Sequence, residues 1–303
     1  MSNQTTVSFL LVCYNARHFL DACLNSVREM ATVPYEVILL DNGSVDDTSE
    51  FVRERFPWVH LIRSEDNLGF TKGNNLAARS ACGKYYLLLN SDTVLLSDIA
   101  PAIRVLESDP CIGVVGARMY DRRHKVRPST GRFPRALRLW RFGSLWLNPN
   151  EHPYGPPTFH CFKVDWVEGS FFLTTAENWS KVGGLDEQAF LYGDDVDFCR
   201  STANRGLLTV HCSDVEYLHF GGCDTSRTGY LFAAFRRYHR KFSTYPEQLL
   251  ADLVLRVGLL ARIVLYGLRY WLTRDALSGE KFRQFVKVQR NWANTGTIAP
   301  RFS

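Results

Sequence analysis

Four short apolar runs organise the N-terminal part of the chain: "VSFLLV" (7–12), "EVILLD" (36–41), "VHLIR" (59–63) and "YYLLLN" (85–90). Each is apolar almost throughout instead of alternating, which is the pattern of strands covered on both faces. Between them, roughly 16–30, 45–56 and 70–81 carry apolar residues at helical spacing. This β-α-β-α-β-α-β order predicts an α/β fold with a doubly wound, mostly parallel sheet and right-handed crossovers. Such sheets hold ligands outside the carboxyl ends of their strands.

The strand ends are polar. Cys13-Tyr14-Asn15 follows the first, Asp41-Asn42-Gly43-Ser44 the second, Asp66-Asn67-Leu68-Gly69 the third and Asn90-Ser91-Asp92 the fourth. Four strands therefore deliver Asn and Asp to one rim. Asp92 is readable as a turn or cap residue, or as a carboxylate held for Mg²⁺ or Mn²⁺, hard cations that share oxygen ligands with substrate phosphates. No GxGxxG follows the first strand and no GxxxxGK[ST] occurs, so dinucleotide-binding and P-loop readings lose their main support.

Two further segments carry candidate chemistry. In "GGLDEQAFLYGDDVDFCRSTANRG" (183–206), Gly183-Gly184 predicts a turn, and Asp194-Asp195-Val196-Asp197 opens a helix that Gly206 closes. Acids in a first helical turn suit the helix dipole, which accounts for Asp197. Adjacent Asp194 and Asp195 repel each other unless something holds them, and one of them is a candidate general base. In "VEYLHFGGCDTS" (215–226), His219 is a structural histidine or a ligand, beside glycines that let backbone approach a ligand closely.

Composition narrows the class. At 303 residues, 46% apolar and 22% charged, the chain has room for one large α/β domain and an appendage. Its eight cysteines (13, 23, 82, 111, 161, 199, 212, 223) form no CxxC pair, and several lie inside apolar runs. They read as buried free thiols in a reducing compartment, not as a zinc site or disulfide framework. The N-terminus has neither a basic n-region nor a signal-peptide core, so a cytoplasmic protein is expected. The net charge of +5 is uneven: residues 230–303 hold thirteen Lys/Arg against four Asp/Glu, or +9, leaving −4 for residues 1–229. A basic tail on a mildly acidic body predicts contact with something anionic.

Together, "VCYNARHFLDACLNSV", "EVILLDNGSVDDT", "NLGFTKGNN", "YYLLLNSDTVL", "EGSFFL", "GGLDEQAFLYGDDVDFCRSTANRG" and "HFGG", covering about residues 7 to 225, resemble the family 2 inverting glycosyltransferases of GT-A fold, in their bacterial rhamnosyltransferase-like branch. The resemblance implies a GT-A catalytic domain over 1–228, with a nucleotide-sugar half of about 1–118 and an acceptor half of about 119–228. A C-terminal amphipathic helical region follows over 229–303. Tyr14, Asn15 and Asp41 match positions that hold the donor's nucleobase and ribose. Asn67, Gly69 and Asn75 match the motif flanking the nucleotide and its diphosphate, and Lys72, where a small residue is more usual, adds a phosphate contact. Asn90 and Ser91 belong to the donor set. "NSD" stands at the family's DXD-type element, with Asp92 as metal ligand and His219 completing the site. Trp166, Glu168 and Gly169 fall in the acceptor-binding segment. Asp195 matches the second acid of the family's Glu-Asp pair, read here as Asp194-Asp195.

The implied reaction is a single in-line displacement with inversion, assisted by Mg²⁺ or Mn²⁺. It uses dTDP-rhamnose first, or a UDP-hexose or UDP-N-acetylhexosamine, and a lipid-linked or polysaccharide acceptor in cell-surface glycan synthesis. A nucleotidyltransferase is the second enzyme reading, although "CYNARHFL" lacks its Gly-rich basic loop. A non-catalytic nucleotide-sugar-binding subunit is the third. Nucleic acid is not an expected partner, and oligomerisation stays open.

Two basic features remain. Arg118 to Arg141 holds eight Arg and one Lys against Asp121 alone, as a solvated loop or as a mobile arm gripping phosphate or an anionic bilayer. The segment "LLADLVLRVGLLARIVLYGLRYWL" (249–272) sets Asp252, Arg256, Arg262 and Arg269 on one arc of a helix opposite Leu, Val, Ala, Gly and Trp271. Those charges make spanning a bilayer costly. The amphipathic helix either packs on the catalytic domain or lies on the inner face of the cell membrane as a peripheral anchor.

Overall fold

The computed structural model describes residues 6–140, 145, 160–221 and 228–294. Arg141, Gly222, Cys223 and Arg301 lie outside them.

The first half follows the expected alternation: β1 (Val7–Cys13), α1 (Arg17–Met30), β2 (Tyr35–Asn42), α2 (Thr48–Arg55), β3 (His60–Ser64), α3 (Phe70–Ala78) and β4 (Tyr85–Leu89). β1 pairs in parallel with β2 and β4, and β2 with β3. Val7, Phe9, Leu10 and Leu11 of β1 are all fully buried, and so are Ile38, Leu39 and Leu40 of β2. That is why these runs do not alternate: both faces of the sheet are covered. α1 turns Leu20, Cys23, Leu24 and Val27 onto one face.

After β4 the sheet becomes mixed. β5 (Thr93–Leu95), α4 (Ala100–Ser108), β6 (Ile112–Tyr120), β7 (Val126–Arg127) and β8 (Thr130–Gly131) follow, with a 3₁₀ turn at Ala136–Trp140. Next come β9 (Cys161–Val164), β10 (Trp166–Val167), β11 (Phe171–Thr175), α5 (Ala176–Val182), α6 (Asp194–Ala203) and β12 (Leu208–His219). The sheet order is β3-β2-β1-β4-β11-β6-β12-β5. β11 runs antiparallel between β4 and β6, and β12 is parallel to β6 but antiparallel to β5. The sheet's two halves are thus joined through one reversed strand.

Two compact units divide the chain. The first takes the described parts of Met1–Phe133, Trp146–Glu187 and Asp194–Gly221, and the second those of Pro134–Leu145, Gln188–Gly193 and Gly222–Ser303. In the second unit, α7 (Thr228–Phe242), α8 (Tyr245–Thr273) and α9 (Ala276–Arg290) form a helical group. The 3₁₀ turn joins it because Arg262 Nη2 donates to the Trp140 carbonyl at 3.0 Å. Gln188–Gly193 joins it through Phe190 stacked on Tyr230 and Arg237 donating to the Tyr192 carbonyl.

The expectation of a mobile basic arm after β6 is corrected. Over its described length, β7 pairs with β6, β8 pairs with β10, and Ser129, Thr130, Ala136 and Leu139 are buried. Two of its cations are engaged locally, Arg118 pairing with Glu216 at 3.5 Å and Arg122 Nε donating to the Phe220 carbonyl at 2.8 Å, while residues 122–127 are exposed.

Cys13, Cys23, Cys199 and Cys212 are buried free thiols, whereas Cys82 and Cys111 are exposed. α8 is 29 residues long, yet among the described residues no helix is long and apolar enough to cross a membrane.

Candidate active site

The carboxyl ends of β1, β2 and β3 are tied together by side chains. Beyond β1, Asn15 takes φ +51° and is fixed from both sides: its N–H donates to Ser44 Oγ at 2.9 Å, and its Oδ1 accepts from the Val45 N–H at 2.9 Å. Asp41 is buried, with Oδ1 accepting from the Ser44 N–H at 3.0 Å and Oδ2 from the Ser49 hydroxyl. Gly43 has φ +80°, and a Cβ there would lie 2.9 Å from the Asp66 carbonyl carbon. The turn after β2 therefore requires glycine to lie against the 65–67 backbone.

Asn42 completes this rim, a role the sequence reading did not give it. Its Nδ2 donates to Asn67 Oδ1 at 3.0 Å and to the Gly69 carbonyl at 3.3 Å, and its Oδ1 accepts from the Leu68 N–H at 2.8 Å. Tyr14 stands half exposed at the same edge, and Lys72 is exposed on α3. Asn75 is turned elsewhere. Its amide bonds both the N–H and the carbonyl of Leu185 at 2.9 Å, pinning the segment that leads to α6.

The end of β4 meets the end of β12. Asn90 N–H donates to the Ser170 carbonyl at 3.1 Å, Ser91 is buried, and the Asp92 carbonyl accepts from the Phe220 N–H at 2.8 Å. Register places His219 opposite Thr93. As a result Asp92 Oδ1 lies 3.3 Å from His219 Nε2, and Asn90 Nδ2 lies 3.4 Å from the same ring nitrogen. Burial pulls the His219 imidazole down, but the Asp92 carboxylate bonded to it, aided by Glu168, leaves it above its ordinary value.

Asp195 opens α6 with its carboxylate turned towards the 168–170 backbone. Oδ2 accepts from the Gly169 N–H at 3.2 Å and Oδ1 from the Val196 N–H at 2.7 Å. Burial raises its carboxyl to about 6, against those N–H groups, which favour the charged form. Asp194 is buried beside it, and a Cβ on Gly169 would lie 3.6 Å from Asp194 Oδ2.

Glu168 joins the two clusters. Burial raises it to about 7; His219 and Arg127 pull it down, while Asp195 and Asp92 both push it up. One carboxyl thus feels Asp92 from the β4 end and Asp195 from the start of α6, so residues far apart in sequence belong to one electrostatic centre. Glu168 was expected only to touch acceptor; its capacity to hold a proton near neutral pH comes first from burial, with Asp195 and Asp92 adding to it. Trp166 is corrected: it is buried, and its indole N–H donates to the Arg132 carbonyl at 3.0 Å, so it is a core residue and not an acceptor contact.

A divalent ion fits the Asp92–His219 pair. Among the described residues no group of three or more His, Cys, Asp or Glu is arranged as a complete ligand set. Mg²⁺ is nevertheless commonly bound through one or two carboxylates with the remainder from substrate phosphates and water, and Asp92 would supply such a carboxylate. The space before these atoms is kept open by Gly221, where a Cβ would lie 2.7 Å from Asp92 Oδ2 and 2.8 Å from His219 Nε2.

Residues 8–171, more than half of the chain, match Glycosyl transferase family 2, and the chain belongs to that family. It is 27% identical over 244 residues to an N-acetylglucosaminyl-diphospho-decaprenol L-rhamnosyltransferase of Mycobacterium tuberculosis, covering 71% of this chain and 76% of the relative. It is 20% identical over 241 residues to a low-salt glycan biosynthesis hexosyltransferase of Haloferax volcanii, covering 78% and 74%. In fold it resembles a mannosyltransferase from Pyrobaculum calidifontis in complex with GDP-Man and Mn²⁺, with TM-score 0.59 and 17% identity over 95% of this chain and 86% of that one. It also resembles GalNAc-T7 with UDP, GalNAc and Mn²⁺, with TM-score 0.58 and 16% identity over 72% and 44%. The fold is GT-A, and glycosyl transfer is the activity class.

Proposed function

We propose that this protein is an inverting, metal-assisted glycosyltransferase that moves a sugar from a nucleotide donor to a lipid-linked or polysaccharide acceptor in cell-surface glycan synthesis. dTDP-L-rhamnose is the first donor to test, in line with the mycobacterial relative; UDP-hexoses and UDP-N-acetylhexosamines come second. The catalytic domain is proposed to span 1–228. The observation that carries the reading is that the 168–170 backbone ties both clusters together: the Ser170 carbonyl accepts from the Asn90 N–H beside the Asp92–His219 pair, and the Gly169 N–H donates to the Asp195 carboxylate.

In this mechanism the rim built from Tyr14, Asn15, Asn67 and Gly69 orients the nucleotide. Asp41 and Asn42 shape that rim from beneath, and Lys72, Asn90 and Ser91 face the diphosphate. Gly169 presents the acceptor between Glu168 and Asp195. Asp195 accepts the proton of the acceptor hydroxyl as that oxygen bonds to the anomeric carbon. The bond from that carbon to the diphosphate oxygen breaks on the opposite face, and the leaving nucleoside diphosphate takes the bonding pair. One base and no covalent carboxylate adduct gives inversion, by the logic of paired carboxylates in glycoside hydrolysis. Asp92 and His219 would hold Mg²⁺ or Mn²⁺, which when bound supplies charge neutralisation at the departing diphosphate.

A thermal-shift screen of dTDP-rhamnose, UDP-glucose and UDP-N-acetylglucosamine, each with and without Mg²⁺ or Mn²⁺, tests the donor. The true donor raises the midpoint through linkage, and more so with metal. No shift with any nucleotide sugar would contradict the proposal.

A further inference from the structure

α8 faces the wrong way for a helix that serves only to pack. Its polar arc is turned inward: Asp252 accepts from Arg236 Nε of α7 at 2.6 Å, and Arg262 bonds the Trp140 carbonyl. The buried residues Ala251, Leu255, Gly258 and Leu259 lie on that same side. The opposite side holds Leu253, Val257, Leu260, Val264, Leu268 and Trp271, spaced by four, three, four, four and three residues, and all six are exposed. The spacing aligns them as one stripe. Leu253 and Val264 are about 60% exposed and Trp271 67%. The stripe runs over about 27 Å of the helix, and contiguous exposed apolar surface of this kind marks an interaction site.

Charge says what covers it. Arg256 is exposed beside the stripe, Arg269 lies on the other side of the helix and pairs with Asp275 at 4.0 Å, and Arg283, Lys287 and Arg290 are exposed on α9. Of the four acids in the segment, Asp252 pairs with Arg236, Asp275 caps α9 by accepting from the Ser278 and Leu277 N–H groups, Glu280 accepts from Gln284 Nε2, and Glu247 stands in the first turn of α8, before the stripe begins. The outward face is therefore apolar with a cationic border, in a segment of net charge +9. A second copy would bring equal positive charge against it, whereas an anionic lipid surface offers opposite charge and an apolar layer to enter. We infer that α8 lies in the interface of an anionic bilayer, with the Leu253–Trp271 stripe inserted among the acyl chains and the flanking cations at the headgroups. This inference rests on the second unit alone and does not depend on the donor or acceptor reading.

The test is co-sedimentation of the full chain with vesicles of phosphatidylcholine alone and of phosphatidylcholine with phosphatidylglycerol in equal parts. Wild type should pellet with the anionic vesicles, weakly with the neutral ones, and less at high salt. Leu260→Gln combined with Val264→Gln should lower anionic-vesicle binding at least about tenfold, with an unchanged thermal midpoint. Equal binding by wild type and variant overturns the inference, as does failure of both to bind. A dimer that the double variant dissociates, without vesicle binding, would show instead that the stripe meets a second copy.

Discussion

Asp92 Oδ1 and His219 Nε2 lie 3.3 Å apart at the joined ends of β4 and β12, although 127 positions separate the two residues in sequence. The antiparallel pairing of β5 with β12 sets this approach, and Gly221 keeps the space before it open. Gly221→Ala should disrupt the pair, because its methyl would collide with both side chains. Metal-stimulated turnover is expected to fall by more than about tenfold, while the thermal midpoint moves little since both neighbours are side-chain ends. Mg²⁺ and Mn²⁺ titrations of activity check it.

Removing a donor atom outright should cost more. Asp92→Ala is expected to lower turnover on the order of 10²- to 10³-fold, the usual effect of losing one group that stabilises developing charge. His219→Ala should shift the metal titration to higher concentration. Initial rates across a metal series separate the two: loss of maximal rate for Asp92, displacement of the midpoint for His219.

Asp195 gives the acid limb of the pH profile. It works as a base only when deprotonated, and burial holds its carboxyl at about 6. Turnover should be level above that value and fall about tenfold per unit below it. A profile without an inflection near there would remove Asp195 from the proton transfer.

The same shift predicts a stability gain on mutation. The folded value of about 6 lies above the ordinary 3.8, so the folded state holds this proton more tightly than the unfolded chain. The resulting stabilisation is fully present below the ordinary value and is lost as pH rises through about 6. Near neutral pH the wild type keeps a buried charge at a cost of up to about 3 kcal/mol, which Asp195→Asn removes. The variant should be the more thermostable near neutral pH, with the difference vanishing below the ordinary carboxylate range. Scanning calorimetry at several pH values measures it.

Asn42→Ala tests the donor rim. It leaves the Leu68 N–H without its side-chain acceptor and frees Asn67 and Gly69. The expected loss is about 1–3 kcal/mol of stability with a raised donor KM and a smaller change in kcat.

The sheet was legible because its strands are covered on both faces, so β1, β2 and β4 stand out as unbroken apolar runs. Strand direction was not legible: nothing in "FFLTT" of β11 marks that it runs antiparallel to both β4 and β6. The candidate catalytic acids stand out in the sequence as polar residues at strand and helix ends. Glu168 as a proton holder does not, since its elevation comes first from burial and then from Asp195 and Asp92, all of which only folding supplies. Trp166 misled because an aromatic beside "EGS" reads equally as a ligand platform or as core. The charges of α8 were read on one arc, but the inward direction of Asp252 and Arg262 depends on Arg236 and the Trp140 carbonyl, which periodicity cannot place.

The most direct measurement pairs donor binding with turnover for Asp195→Asn. Isothermal titration with the donor found in the thermal screen should give a Kd close to wild type, because the donor rim is untouched, while single-turnover transfer to acceptor falls on the order of 10³-fold or more. Near-normal transfer by a folded, donor-binding Asp195→Asn protein would contradict the account.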